Sequence, residues 1–149
     1  VLSGNLVRGG FGNAGEFSSI FPEAEWDRRP ALAGLLKRVA GYGIEVSTIA
    51  DLSRRFDPAW PGVEEWVELV TPYHDRVINM LSAVIDPEVI VLGGQIPIPL
   101  ADMLIARCTF YSKPRHGILR RMPRLAASQI KGETAAIGAA SLPLKEAFF

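Results

Sequence analysis

The chain has 149 residues, and its 16 Lys and Arg balance 16 Asp and Glu. It can bury a sizeable core, but it has no general electrostatic attraction to nucleic acid or an anionic membrane. One cysteine, Cys108, excludes an internal disulfide framework, and the absence of both a signal-peptide pattern and an apolar run of about 20 residues favours a single cytoplasmic domain over 1–149.

The chain begins at Val1 rather than Met. Leu2 and Asn5-Leu6-Val7, interrupted by Ser3-Gly4, read as two strand ends meeting at a turn, which has the look of a truncated start or of a processed terminus. Gly9, Gly10, Gly12 and Gly15 then form a loop whose backbone can take positive φ and approach a ligand closely. Glu16 stands behind that loop, where a carboxylate can accept hydrogen bonds from two sugar hydroxyls. Spacing alone equally describes an ordinary glycine loop with a solvated Glu.

Leu32, Leu35, Leu36 and Val39 recur at helical spacing until Gly41 and Gly43. Ser47 is placed to cap a second helix running through Arg55. The strongest periodicity runs through Val63, Trp66, Val67, Val70, Val77, Ile78, Leu81, Val84 and Ile85, a long amphipathic helix that Pro72 should kink or divide. Val89-Ile90-Val91-Leu92 reads as a fully buried strand ending in the Gly93-Gly94 turn. A helix over 99–107, a strand from Arg124 to Ile130 and a last helix over about 133–142 complete the pattern. The small residues around Gly138 in that last helix suit close packing. Helices alternating with strands specify an α/β layer architecture.

Several other residues carry chemistry, each beside a plainer reading. His74 next to Asp75 suggests an acid–base pair, but on one helix the two point about a third of a turn apart, which favours a packing role for His74. Lys113, Arg115, His116, Arg120, Arg121 and Arg124 form a basic run near Tyr111 that could meet phosphate; such runs are more often solvated or in subunit contacts. Cys108 has no neighbour in sequence that argues for a nucleophile. Trp26 and Trp60 lie in loops and could stack on a sugar ring, whereas Trp66 belongs to the apolar face.

Three segments, in order, resemble the ROK family of bacterial sugar kinases and sugar-responsive repressors: Gly12-Asn13-Ala14-Gly15-Glu16, Ile85-Asp86-Pro87-Glu88-Val89-Ile90-Val91-Leu92-Gly93-Gly94, and Gly132-Glu133-Thr134-Ala135-Ala136-Ile137-Gly138-Ala139-Ala140. The resemblance spans the whole chain but only the C-terminal half of the family's length. It implies one lobe of an actin-like ATPase (ribonuclease H-like) domain, with a small sheet flanked by helices and built near residues 1–8, 89–92 and 124–130. It implies that Glu16, with Asn13 and Gly15 shaping the loop, holds a monosaccharide, and that Gly93, Gly94 and Gln95 lie against the adenosine of ATP. ATP with Mg would belong to the intact parent.

Two departures qualify what carries over. Where the family has a histidine that contacts sugar and ligates zinc, this chain has Ser19, and the family's cysteine cluster is absent; His74, Cys108 and His116 lack zinc-site spacing, so no zinc is expected. The family's phosphate loops and catalytic aspartate would precede Val1, so this chain alone is not expected to phosphorylate a sugar. The parent is then either an ATP-dependent sugar kinase, a transferase, or a transcriptional regulator that senses a sugar. The alternative is an orphaned lobe acting only as a dimerisation or structural module. Self-association, as a homodimer, is expected of an isolated lobe, with no direct nucleic-acid binding and no membrane contact.

Overall fold

The computed structural model describes residues 5–114, 116–130 and 134–148. The expected strand ends at Val1 to Gly4, Arg115 of the basic run, and Gly132 and Glu133 of the third family-like segment lie outside the described residues. Among the described residues, five helices and a two-stranded parallel sheet form a mixed α/β architecture: α1 (Leu32–Ala40), α2 (Ile49–Arg55), α3 (Val63–Val84), β1 (Val89–Leu92), α4 (Ile98–Arg107), β2 (Arg124–Ala127) and α5 (Thr134–Phe148). No described helix is long and apolar enough to cross a membrane.

The core lies where α1, α2, α3 and α4 meet, and its fully buried members include Leu35, Val39, Leu52, Val63, Val67, Val70 and Leu100. Trp66 is also buried, as its place on the apolar face of α3 predicts. Burying each such side chain contributes about 1.5–3 kcal/mol, so this helical cluster outweighs the short sheet in holding the fold together. The chain enters α3 through Gly62, whose φ of 86° is left-handed and whose added Cβ would strike the Tyr42 ring at 2.9 Å. Glu64 and Glu65 in the first turn complement the helix dipole.

Four local expectations change. Thr48, not Ser47, caps α2, its hydroxyl accepting from the Asp51 N–H at 3.0 Å. Pro72 does not divide α3, because it sits on the exposed face, where the carbonyl of Glu68 that it leaves without an amide partner can be hydrated. Residues 6–8 form no strand, and Asn5 makes only an isolated bridge. The last helix runs on through Pro143 to Phe148, and a Cβ on Gly138 would meet nothing within 4 Å, so no described residue packs closely there.

The sheet pairs Val89 with Arg124 through Leu92 with Ala127, with α4 as the crossover. β1 is not fully buried. Val91 is 56% exposed and Val89 37%, while Leu92 packs against the core, so one face of the strand is covered and the other is open. Two consecutive 3₁₀ turns, Phe17–Ile20 and Glu23–Arg28, join the glycine loop to α1.

Candidate functional site

β1 ends in the turn Gly93-Gly94-Gln95, which forms one wall of a cavity of about 590 Å³. The opposite walls are Ala50, Ser53, Arg54 and Phe56 of the α2 region, with Ser128 and Ile130 just past β2. Each glycine has its own physical reason. Gly94 has φ of 84°, the left-handed region that L side chains avoid, and a Cβ on Gly93 would press to 3.1 Å from the Ser128 Cβ. Ser128 is held by its N–H donating to Leu92 O at 2.8 Å and its hydroxyl accepting from Ile130 N at 3.3 Å. The strand therefore delivers bare backbone to the cavity at the carboxyl end of a parallel pair, the usual ligand position in such sheets. Its volume lies within the range of ligand pockets.

Among the described residues the cavity's lining includes Arg54, a cation able to meet a phosphate, but no Asp or Glu. Its donor set therefore suits a nucleoside and phosphate oxygens, while a Mg²⁺ ion accompanying them would find no acidic ligand in this wall.

The other family-like segment folds as an exposed loop. Gly9, Gly12 and Gly15 all take positive φ, and Ala14 N–H donates to Arg8 O at 3.2 Å to close the loop. Glu16 is exposed, and its carboxylate makes no hydrogen bond or ion pair with a described residue. Ser19 donates its hydroxyl to the Glu16 carbonyl at 2.8 Å, so it offers an incoming group only an acceptor. Asn13, Gly15, Glu16 and Ser19 share none of the cavities described here with Gly93, Gly94 and Gln95.

A second cluster was not legible from spacing. On α3, Asp75 and Asn79 lie four residues apart on one face and together grip the extended segment that follows α4. Thr109 N–H donates to Asp75 Oδ1 at 3.1 Å, Asn79 Nδ2 donates to Thr109 O at 2.9 Å, and Tyr111 N–H donates to Asn79 Oδ1 at 2.7 Å. This clasp sets Cys108 beside Asp75, and His74 completes the group: one donor atom from each of the three lies within 4.8 Å of the others. Burial, reinforced by the Asp75 carboxylate, pushes the Cys108 thiol up to about 12. Burial also holds the His74 imidazole below its ordinary value of 6.5, against the opposing pull of Asp75. His74 is a buried residue, as the packing reading predicts, but neither ring nitrogen has a hydrogen-bond partner among the described residues. A signal existed, because positions 74 and 75 fall on the same helical stripe as Val67, Val70 and Ile78.

The remaining candidates separate clearly. Lys113, His116, Arg120, Arg121 and Arg124 are all exposed, as a solvated basic face would be. Trp60 packs edge-on against Phe56 with ring centroids 6.1 Å apart, so it serves the core margin. Trp26 is half exposed beside the Arg29 guanidinium and lines a separate surface cavity of about 710 Å³ with Arg28, Lys37, Arg38 and Glu65.

No family model matches the chain, and no solved structure matches it. The chain is 27% identical over 152 residues to an uncharacterized protein, y4fQ, of Sinorhizobium fredii (strain NBRC 101917 / NGR234). That similarity takes in 100% of this chain and 38% of y4fQ, so the chain spans well under half the length of this relative.

Proposed function

We propose that this chain is the C-terminal lobe of a ROK-type protein with an actin-like ATPase fold, which receives the nucleoside end of ATP at Gly93, Gly94 and Gln95 and presents Glu16 to a monosaccharide. The observation that carries this reading is the cavity of about 590 Å³ at the carboxyl end of β1, where two glycines bare the backbone for independent steric reasons. A flat nucleoside could contact such a wall directly, and Arg54, a lining residue that also pairs with Asp51 at 3.4 Å, is the cation that phosphate oxygens would meet. The sugar site is one-sided in this chain: Glu16 is a free acceptor on an exposed loop, and a second lobe would supply the facing wall. Ser19, in place of the family's histidine, makes that site an atypical one. On this reading the lobe binds but does not transfer phosphate by itself, and the parent is a sugar kinase or a sugar-responsive transcriptional regulator.

The test is calorimetric titration of the chain with ATP, ADP, adenosine and a panel of monosaccharides. Adenosine nucleotides should bind the wild type and lose binding in Ala50→Trp, which fills the cavity mouth from an exposed helix position. Sugar binding should be lost in Glu16→Ala. Absence of heat with every adenosine compound, or nucleotide binding that survives Ala50→Trp, removes the nucleotide assignment.

The dimerisation reading has its own support in the open face of β1, where Val89 and Val91 lie exposed near Val84 and Ile85 at the end of α3. Apolar area of this kind ordinarily meets a partner surface. A homodimer through this face should dissociate on Val91→Lys in sedimentation equilibrium, and a concentration-independent monomer mass for the wild type would refute it.

A further inference from the structure

His74 poses a problem that the proposed nucleotide and sugar sites leave unanswered. His74 is only 6% exposed, yet among the described residues neither Nδ1 nor Nε2 has a hydrogen-bond partner. An unpaired buried polar group costs about 1–3 kcal/mol, and a bound cation that takes one ring nitrogen would relieve that cost at one of the two. The neighbours say what kind. Asp75, equally buried at 6%, argues against an anion, and the Cys108 sulfur beside it adds a soft donor.

We propose that His74, Asp75 and Cys108 form a binding site for one zinc-type divalent cation. An imidazole, a carboxylate and a thiolate are the usual zinc donors, whereas Mg²⁺ and Ca²⁺ take oxygen shells and would leave His74 and Cys108 unused. Charge balances as well: a thiolate and a carboxylate cancel the two positive charges of the ion, so the buried group is neutral overall.

The geometry is close to what binding requires. The three donor atoms lie within 4.8 Å of one another. Ligands at ~2.0–2.3 Å around a tetrahedral metal stand roughly 3.5 Å apart, so a contraction of about 1 Å completes the site. Side-chain rotations of this size fall within what the three residues can supply, and Cys108 lies just past the end of α4 rather than within it. Thr109 N–H, 3.1 Å from Asp75 Oδ1, holds one carboxylate oxygen and leaves the other for the ion, as outer-shell partners of metal ligands do. Three protein ligands leave a fourth position open. His74 also lines a cavity of about 250 Å³ with Leu92, Gly93 and Gln95, so one edge of the imidazole faces open space. This set differs from the zinc ligands that the family resemblance implies, since it uses neither the Ser19 position nor a cysteine cluster. A zinc site here departs from the expectation of no zinc, which rested on the spacing of His74, Cys108 and His116 along the chain; Asp75 supplies a donor that spacing did not count, and the three meet in space.

The test uses the full chain, stripped with a chelator, titrated with Co²⁺ as the spectroscopic probe and then with Zn²⁺. One equivalent of Co²⁺ should produce a thiolate-to-cobalt charge-transfer band with intense tetrahedral d–d absorption, and Zn²⁺ should bleach both. His74→Gln and Asp75→Asn should each weaken Co²⁺ binding by more than the about tenfold typical of losing an outer-shell partner. Zn²⁺ should raise the melting temperature of the wild type and leave Cys108→Ser unchanged. If His74→Gln does not fold, the Asp75→Asn titration and the Cys108→Ser melting shift decide. Absence of the charge-transfer band in the wild type overturns the proposal. So does a band whose titration is the same in the Asp75 variant, which would show a lone thiol taking up metal, or an equal Zn²⁺ shift in Cys108→Ser. None of these outcomes depends on nucleotide or sugar binding.

Discussion

Replacing Asp75 by Asn should make Cys108 more reactive while making the protein less stable. Burial and the Asp75 carboxylate together push the Cys108 thiol from its ordinary 9.0 up to about 12. At pH 8 a displacement of three units leaves the thiolate roughly a thousandfold scarcer than in a free cysteine. A thiolate of higher pKa is intrinsically more nucleophilic, with a Brønsted slope of about 0.4–0.5, so alkylation of the wild type should be slower by only about thirtyfold. Desolvation is the largest cause of the displacement and is untouched by the substitution. Cys108 is also only partly buried, so solvent screens the carboxylate, and its share of the displacement is smaller than that of desolvation. Alkylation should therefore be faster in Asp75→Asn, by about threefold for every tenfold gain in thiolate at that slope.

The stability readout runs the other way. Asn keeps an acceptor for the Thr109 N–H, whereas Asp75→Ala leaves that buried donor unpaired and should cost about 2 kcal/mol, more than Asp75→Asn costs. The assay is the pseudo-first-order rate of iodoacetamide reaction against pH, in chelator, with urea unfolding of each variant alongside. Faster alkylation through local opening would grow with added urea, whereas the electrostatic effect is present without it. A wild-type thiol that titrates near 9.0 and alkylates at the same rate as in Asp75→Asn would refute the reasoning.

His74 favours its neutral form in the fold, because burial lowers its value below 6.5 while Asp75 only partly opposes this. The unfolded chain therefore binds more protons in that window; the His74 contribution to stability is fully present above about pH 6.5 and is lost as pH falls through the lower folded value. The urea midpoint should drop over that range in the wild type and drop less in His74→Gln. Gly62→Ala should destabilise by about 2 kcal/mol, since it forces a Cβ into a left-handed backbone and against Tyr42, and thermal unfolding checks it. Thr48→Ala should cost about 1 kcal/mol by removing the α2 cap, with Ser47→Ala near zero in the same measurement.

Much of the helical framework was legible because a long amphipathic stripe needs no tertiary information: Val63, Trp66, Val67 and Val70 announce α3, and Leu35 with Val39 announces α1. The burial of β1 was not legible. A run of four apolar residues reads as buried on both sides, but only the face of β1 that carries Leu92 packs on the core, so Val89 and Val91 on the other face lie exposed. The α2 cap was misplaced by one residue because Ser47 and Thr48 are both competent acceptors and only the backbone turn selects between them. The turn Gly93-Gly94 could be placed from sequence, but not the reason each glycine is needed, which depends on Ser128 and on a left-handed φ.

Sequence alone determined the helices and the α/β order, through hydrophobic period and the positions of Gly and Pro, which act within a few residues along the chain. Only the tertiary structure decided what meets what. His74 reads as a packing histidine beside Asp75, and Cys108 as an isolated thiol, until the packing of α4 on α3 and the hydrogen bonds of Asp75 and Asn79 to Thr109 and Tyr111 brought the three together. The reason is physical: a donor cluster is a matter of distances in space, and those distances are set by which helix faces bury each other rather than by any spacing along the chain.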